Sequence, residues 1–138
     1  MLVAALIATA LIHASGPSPA AQLAAVQRAA MFHVLLLPSS GQLLHAEASK
    51  DGSEVRLEYS IEGSIVRIDE RVAGATQSSP DPQAELFNLD GYPALYNERV
   101  GYRAVSDLTW FRPDVVVTLS SRDIVSEPLL VDVALELR

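Results

Sequence analysis

From Glu54 to Ile61 apolar and polar residues alternate without a break. Val55, Leu57, Tyr59 and Ile61 take one parity, and Glu54, Arg56, Glu58 and Ser60 the other. That is the period of a strand buried on one face and wet on the other. The pattern returns over Ile65 to Val72, with Val66 and Ile68 inward. In the second half Leu108 and Trp110 flank Thr109, and Val115, Val117 and Leu119 alternate with Val116, Thr118 and Ser120. Between these two runs Arg112-Pro113-Asp114 turns the chain, because proline fixes φ at the first central position of a turn and aspartate tolerates the second. Leu43 to Ser49, Ala84 to Leu89 and Tyr92 to Asn97 are weaker strands. Asp51-Gly52 and Asp90-Gly91 read as two-residue hairpin turns in which both positions take positive φ. Glu62-Gly63 turns the chain again. Pro93 near the start of its strand suits an edge of the sheet.

The helical period is confined to the ends. Ser18 can cap a helix with Pro19 at its first position, and Ala20 to Met31 then places Leu23, Val26 and Ala30 on one side. Phe32 to Pro38, FHVLLLP, is a short apolar run that ends at proline. The last segment fits two patterns. Leu129, Val131, Val133, Leu135 and Leu137 alternate as a strand would, whereas Ser126-Glu127-Pro128 opens a helix whose stripe is Leu130, Val133, Ala134 and Leu137. These elements together predict an α+β domain over residues 20–138, an antiparallel sheet of about five to seven strands with N- and C-terminal helices packed on one face.

Residues 1–19 are set apart. Met1 to Ala14 is almost wholly apolar and carries no fixed charge, and Ser15-Gly16-Pro17-Ser18-Pro19 is a breaker cluster suited to a linker. The apolar run is shorter than the span of about 20 residues that crosses a bilayer. It has the length of the apolar region of a secretory signal, with small residues after it for cleavage, but lacks the basic residues that precede such a region. A signal peptide, the end of a membrane helix and a buried core helix are the three readings. The first two place the domain outside the cytoplasmic membrane, secreted or tethered through this segment.

Composition narrows the partners. The chain has 138 residues and a formal net charge of −7. All acidic residues lie at or beyond Glu47, and Lys50 is the one lysine among dispersed arginines. Phosphate binding needs clustered lysine and arginine, so nucleic acid is not an expected partner. The absence of cysteine removes disulfides, thiolate metal sites, a cysteine nucleophile and a lipidated cysteine.

No motif for chemistry stands out. His13, His33 and His45 lie on different segments, and a structural metal site needs about four ligands, so no metal site is expected. Ser39-Ser40-Gly41 and Ser120-Ser121 sit in no nucleophile elbow and face no evident base. Asp81, Asp90 and Asp114 are turn residues by context. Glu54, Glu58, Glu62, Asp69 and Glu70 read as a solvated sheet face ahead of an acid–base pair. Tyr92, Tyr96, Tyr102, Trp110 and Phe111 concentrate in the second half, as cross-strand packing or as a binding face. The isolated glycines form no phosphate loop. No catalytic, cofactor-binding or metal residues are expected, and no cofactor.

The order of elements resembles an uncharacterised bacterial extracytoplasmic domain found C-terminal to a membrane helix in anti-sigma-factor-like proteins. Val55, Leu57 and Tyr59 match its V-x-L-x-Y strand. Gly91, Ala94 and Tyr96 match its G-x-x-A-x-Y segment, and Leu108 and Trp110 its L-x-W strand. The likeness runs from Ala20 to Arg138 and rests on packing motifs. It departs after Pro38, where Ser39-Ser40-Gly41 replaces a leucine-proline-x-glycine turn, and at His33, where proline is common. The resemblance implies a helix for the terminal segment. It also implies a non-catalytic sensor or interaction domain of a membrane-tethered regulator, binding a protein or envelope ligand. The other expectation is a secreted periplasmic carrier holding a lipid or other apolar ligand on the concave face of its sheet, marked by an apolar cavity lined by Leu57, Tyr59, Trp110 and Val117.

Overall fold

The protein is described by a computed structural model over residues 16–74, 84–99, 105–121 and 127–138. Helix α1 spans Pro19–Ala29, and a seven-stranded antiparallel sheet follows. Its strands are β1 (Gln42–Ala48), β2 (Glu54–Ile61), β3 (Ser64–Val72), β4 (Glu85–Leu89), β5 (Tyr92–Arg99), β6 (Val105–Phe111) and β7 (Val115–Ser121). Helix α2, Glu127–Glu136, comes last. The spatial order is β1-β2-β3-β7-β6-β5-β4. Two meanders, β1 to β3 and β4 to β7, therefore join along a β3–β7 seam.

The alternating residues occupy the faces their parity dictates. Leu57, Val66, Ile68, Leu108, Val117 and Leu119 are fully buried on the inner face. Helix α2 lies against β6 and β7 with Leu130, Val133, Ala134 and Leu137 turned inward, which settles the ambiguous terminal segment as helix. Ser126 lies outside the described residues. Ser18 caps α1, accepting the Ala21 amide at 3.2 Å, with Pro19 in the first turn. The helix lies along β1 and adds Val26 and Leu23 to the same core. No helix among the described residues is long and apolar enough to cross a membrane. Residues 1–15, and with them His13, lie outside those described.

Three local expectations need correction. Asp90 and Gly91 have φ of 51° and 86°, as a two-residue turn requires, and Glu62 and Gly63 match them at 49° and 82°. At Asp51-Gly52 only Gly52 has positive φ, 73°. The reversal there is longer, closed by Gly52 N to Ser49 O at 3.0 Å and Ser49 N to Glu54 O at 2.9 Å. The Asp51 carboxylate takes the Ser49 and Ser53 hydroxyls and the Ser53 amide, which favours the wider turn. Strand β5 is interior, with β4 at the edge. Pro93 is tolerated because its pairing with β6 starts one residue later, at Ala94. Glu70 does not belong to the wet face and is 1% exposed.

Candidate functional site

The outer face of the sheet carries an open trough of about 440 Å³ at β1, β2, β3 and β7. Strand register explains its shape. Glu47, Arg56, Asp69 and Thr118 stand opposite one another in successive strands and form one wall. Ser49, Glu54 and Arg71 form the other. Ala48, Val55 and Glu70 fall between these rows, so their side chains point to the inner face and only their main chain borders the trough. In the first wall Arg56 Nε donates to Asp69 Oδ1 at 2.8 Å, and Nη1 reaches Glu47 Oε1 at 3.3 Å. The hydrogen bond and charge of Asp69 hold the Arg56 guanidinium above its ordinary range. His45 Nε2 lies 3.5 Å from Glu47 Oε2. Exposed pairs of this kind add up to about 1 kcal/mol each, so they orient the wall more than they stabilise the fold. The trough is lined by side chains of both charges and by hydroxyls, with the aliphatic stems of its arginines and glutamates between them.

The second site lies beneath the opposite face. Residues 32–37 cross the inner face as an extended segment. Leu36 exchanges both main-chain hydrogen bonds with Arg138, at 2.8 and 3.1 Å. The neighbouring amides point to the sheet, where Leu35 N donates to Glu70 Oε2 at 3.0 Å and Leu37 N to the Tyr59 hydroxyl at 3.4 Å. Glu70 Oε1 is buried with no hydrogen-bond partner. Burial pushes the Glu70 carboxyl up to about 8, while the Leu35 amide and the Arg112 charge pull it the other way. Burial likewise raises the Tyr59 phenol. Arg112 lies over the Trp110 ring, 4.9 Å from its centroid, with its own Nε buried and unpartnered. Trp110 Nε1 donates to Leu89 O at 3.0 Å, so the ring is fixed as the platform.

The residues considered for chemistry do not converge. His33 is exposed on the crossing segment and His45 lies on β1. Ser39 and Ser40 are exposed, Ser120 faces outward and Ser121 is buried. Among the described residues no group of three or more histidines, aspartates or glutamates is placed to hold a metal ion. Tyr96 and Trp110 are buried in the core, and Phe111 is half-buried. Asp81 and Tyr102 lie outside the described residues. Glu54, Glu58 and Asp69 do stand on the wet face. Glu70, the residue with the most unusual setting, had a signal in the sequence: it continues the inward parity of Val66 and Ile68. No protein-family model, curated protein or solved structure matches the chain.

Proposed function

We propose that the chain is a non-catalytic extracytoplasmic sensor or interaction domain of a membrane-tethered regulator resembling anti-sigma factors. The observation that carries this reading is the division of the sheet. Its inner face is closed by the two helices and the crossing segment, and its outer face offers an open trough lined by charged and hydroxyl side chains. Such a trough suits a polar segment of a partner protein or an envelope ligand. Among the described residues that line the trough there is no histidine, and the Ser49 hydroxyl is engaged by the Asp51 carboxylate, which also takes two Ser53 bonds within the turn. The N-terminal apolar segment supports export or tethering, and the resemblance supports the link to a regulator. The carrier reading asks for an open cavity at Leu57, Tyr59, Trp110 and Val117. These are 0, 3, 2 and 0% exposed and belong to one packed cluster, which favours the interaction reading.

The test is made in a bacterial cell, with the full chain fused to alkaline phosphatase and a photo-crosslinking amino acid at Thr118. An active phosphatase and an adduct formed from Thr118, absent when the crosslinker stands at Gln27 on the exposed side of α1, is the expected result. An inactive phosphatase removes the extracytoplasmic placement. Equal adducts from both positions remove the trough as the binding surface.

A further inference from the structure

Glu70 is a buried carboxyl with one hydrogen bond, and that bond is to the segment crossing above it. Its surroundings offer little else. Val55 and Val117 flank it in the neighbouring strands. The groups whose charge bears on it or that it acts on are Arg112, at the end of β6, and Tyr59, on β2. Arg112 makes no ion pair with it and is placed over Trp110 instead. The crossing segment brings the Leu35 amide, and its titratable side chain, His33, is exposed. At the end of α2, Glu136 has one buried carboxylate oxygen without a hydrogen-bond partner, and the Arg138 side chain is exposed.

We propose that Glu70 is a proton-operated latch on residues 32–37: as a neutral acid it keeps the segment against the sheet, and as a carboxylate it releases it. The neutral group leaves one hydroxyl unsatisfied. The ionised group takes the Leu35 amide more strongly, but that one bond does not replace the water a full charge loses in the core, and this loss is the larger of the two effects. Something must then move. The sheet around Glu70 is held by continuous ladders on both sides. The segment is packed through Val34, Leu35 and Leu37 but has no ladder, only the reciprocal Leu36–Arg138 bonds and two amides on sheet side chains, so it is the part that yields and admits water. Because it joins α1 to β1, its release reaches α1 directly. With the Glu70 carboxyl pushed up to about 8, the latch is closed below that pH and open above it. None of this depends on export or on a ligand in the trough, so the latch and the function proposed above fail separately.

Amide hydrogen exchange on the full chain between about pH 6 and about pH 9, expressed as protection factors, tests the latch. Protection at Leu35 and Leu37 is expected to fall at least about tenfold across the range, and Leu57 and Leu119 in the sheet are expected to stay protected. Glu70→Gln should make Leu35 and Leu37 insensitive to pH. Carbon NMR of the Glu70 carboxyl should titrate with the same midpoint. Arg112→Gln, which removes the cation pulling that carboxyl down, should move the midpoint to higher pH and tests the latch even where Glu70→Gln does not fold. A flat profile in the natural chain overturns the proposal, as does the same fall in Glu70→Gln. Loss of protection at Leu57 and Leu119 in step means global unfolding and also overturns it. So does a carboxyl that titrates while Leu35 stays protected, which would mean that Arg112 takes up the charge, and so does an unmoved midpoint in Arg112→Gln.

Discussion

Two residues carry more of the fold than their size suggests. Gly52 has φ of 73°, and a Cβ there would lie 2.1 Å from the Ala29 carbonyl oxygen. Its own carbonyl accepts the Met31 amide at 2.9 Å, so the β1–β2 turn is docked on the end of α1 through bare backbone. Gly52→Ala meets both an unfavourable φ and main-chain atoms that cannot swing aside. A loss of about 2–4 kcal/mol in denaturant unfolding is expected, with Gly63→Ala, which meets nothing within 4 Å, losing less. Glu70 sets a pH dependence of the opposite sense to an ordinary ion-paired carboxylate. Its folded pKa of about 8 exceeds its ordinary value of 4.5. Between those limits the folded chain holds a proton that the unfolded chain has released. The Glu70 contribution to stability is therefore whole below 4.5, is lost as pH rises towards about 8 and changes no further above it. Glu70→Gln should remove this slope, worth up to roughly 5 kcal/mol across the range, and leave the variant more stable than the natural chain at about pH 9, read from urea unfolding at several pH values. A variant that keeps the slope would place its origin elsewhere.

The β1 edge of the sheet is guarded by a neighbouring element. Strand β1 carries an irregularity between Leu43 and His45, and α1 lies along it. Gln22 of that helix accepts the Ala46 amide at 2.9 Å through Oε1 and donates to Pro17 O at 2.9 Å through Nε2. One side chain thus satisfies a strand donor and ties down the helix start. Gln22→Ala should cost roughly 1 kcal/mol and raise self-association at the opened edge, measured by unfolding and by light scattering. Unchanged association would show that the helix covers the edge without the amide. How legible the elements were depended on the range of the forces behind them. Glu54 to Ile61 and Val115 to Ser121 declared themselves because their alternation is local. The 51–52 turn did not, since Asp51 is engaged by two serine hydroxyls and Gly52 is pressed against α1, and neither contact is visible in a dipeptide. The burial of Glu70 was legible by parity but conflicts with its charge. Only the crossing segment above it, placed from a distant part of the chain, decides which of the two prevails.

At the scale of the molecule the question is whether two meanders make one cooperative unit. Strands β1 to β3 and β4 to β7 are each stitched by neighbours in sequence, and the seam joins Val66–Val72 to Val115–Ser121 along its whole length. Closing so long a loop costs entropy that only the finished core returns. Two further ties cross between the halves. The crossing segment, from the first half, exchanges hydrogen bonds with Arg138 beyond α2, from the second. The inner-face row Val55, Glu70, Val117 and Trp110 runs through both halves in continuous register. Neither half can then bury its inner face alone, and the domain should unfold in a single transition. Leu57→Ala tests this, because Leu57 is fully buried in the first meander while Trp110, the single tryptophan of the chain, reports from the second. The substitution should cost about 2–5 kcal/mol. It should lower the denaturation midpoint of tryptophan fluorescence and of far-ultraviolet circular dichroism by the same amount. A fluorescence transition left in place while the dichroism shifts would show that the seam, for all its register, divides the sheet into two independently folding parts.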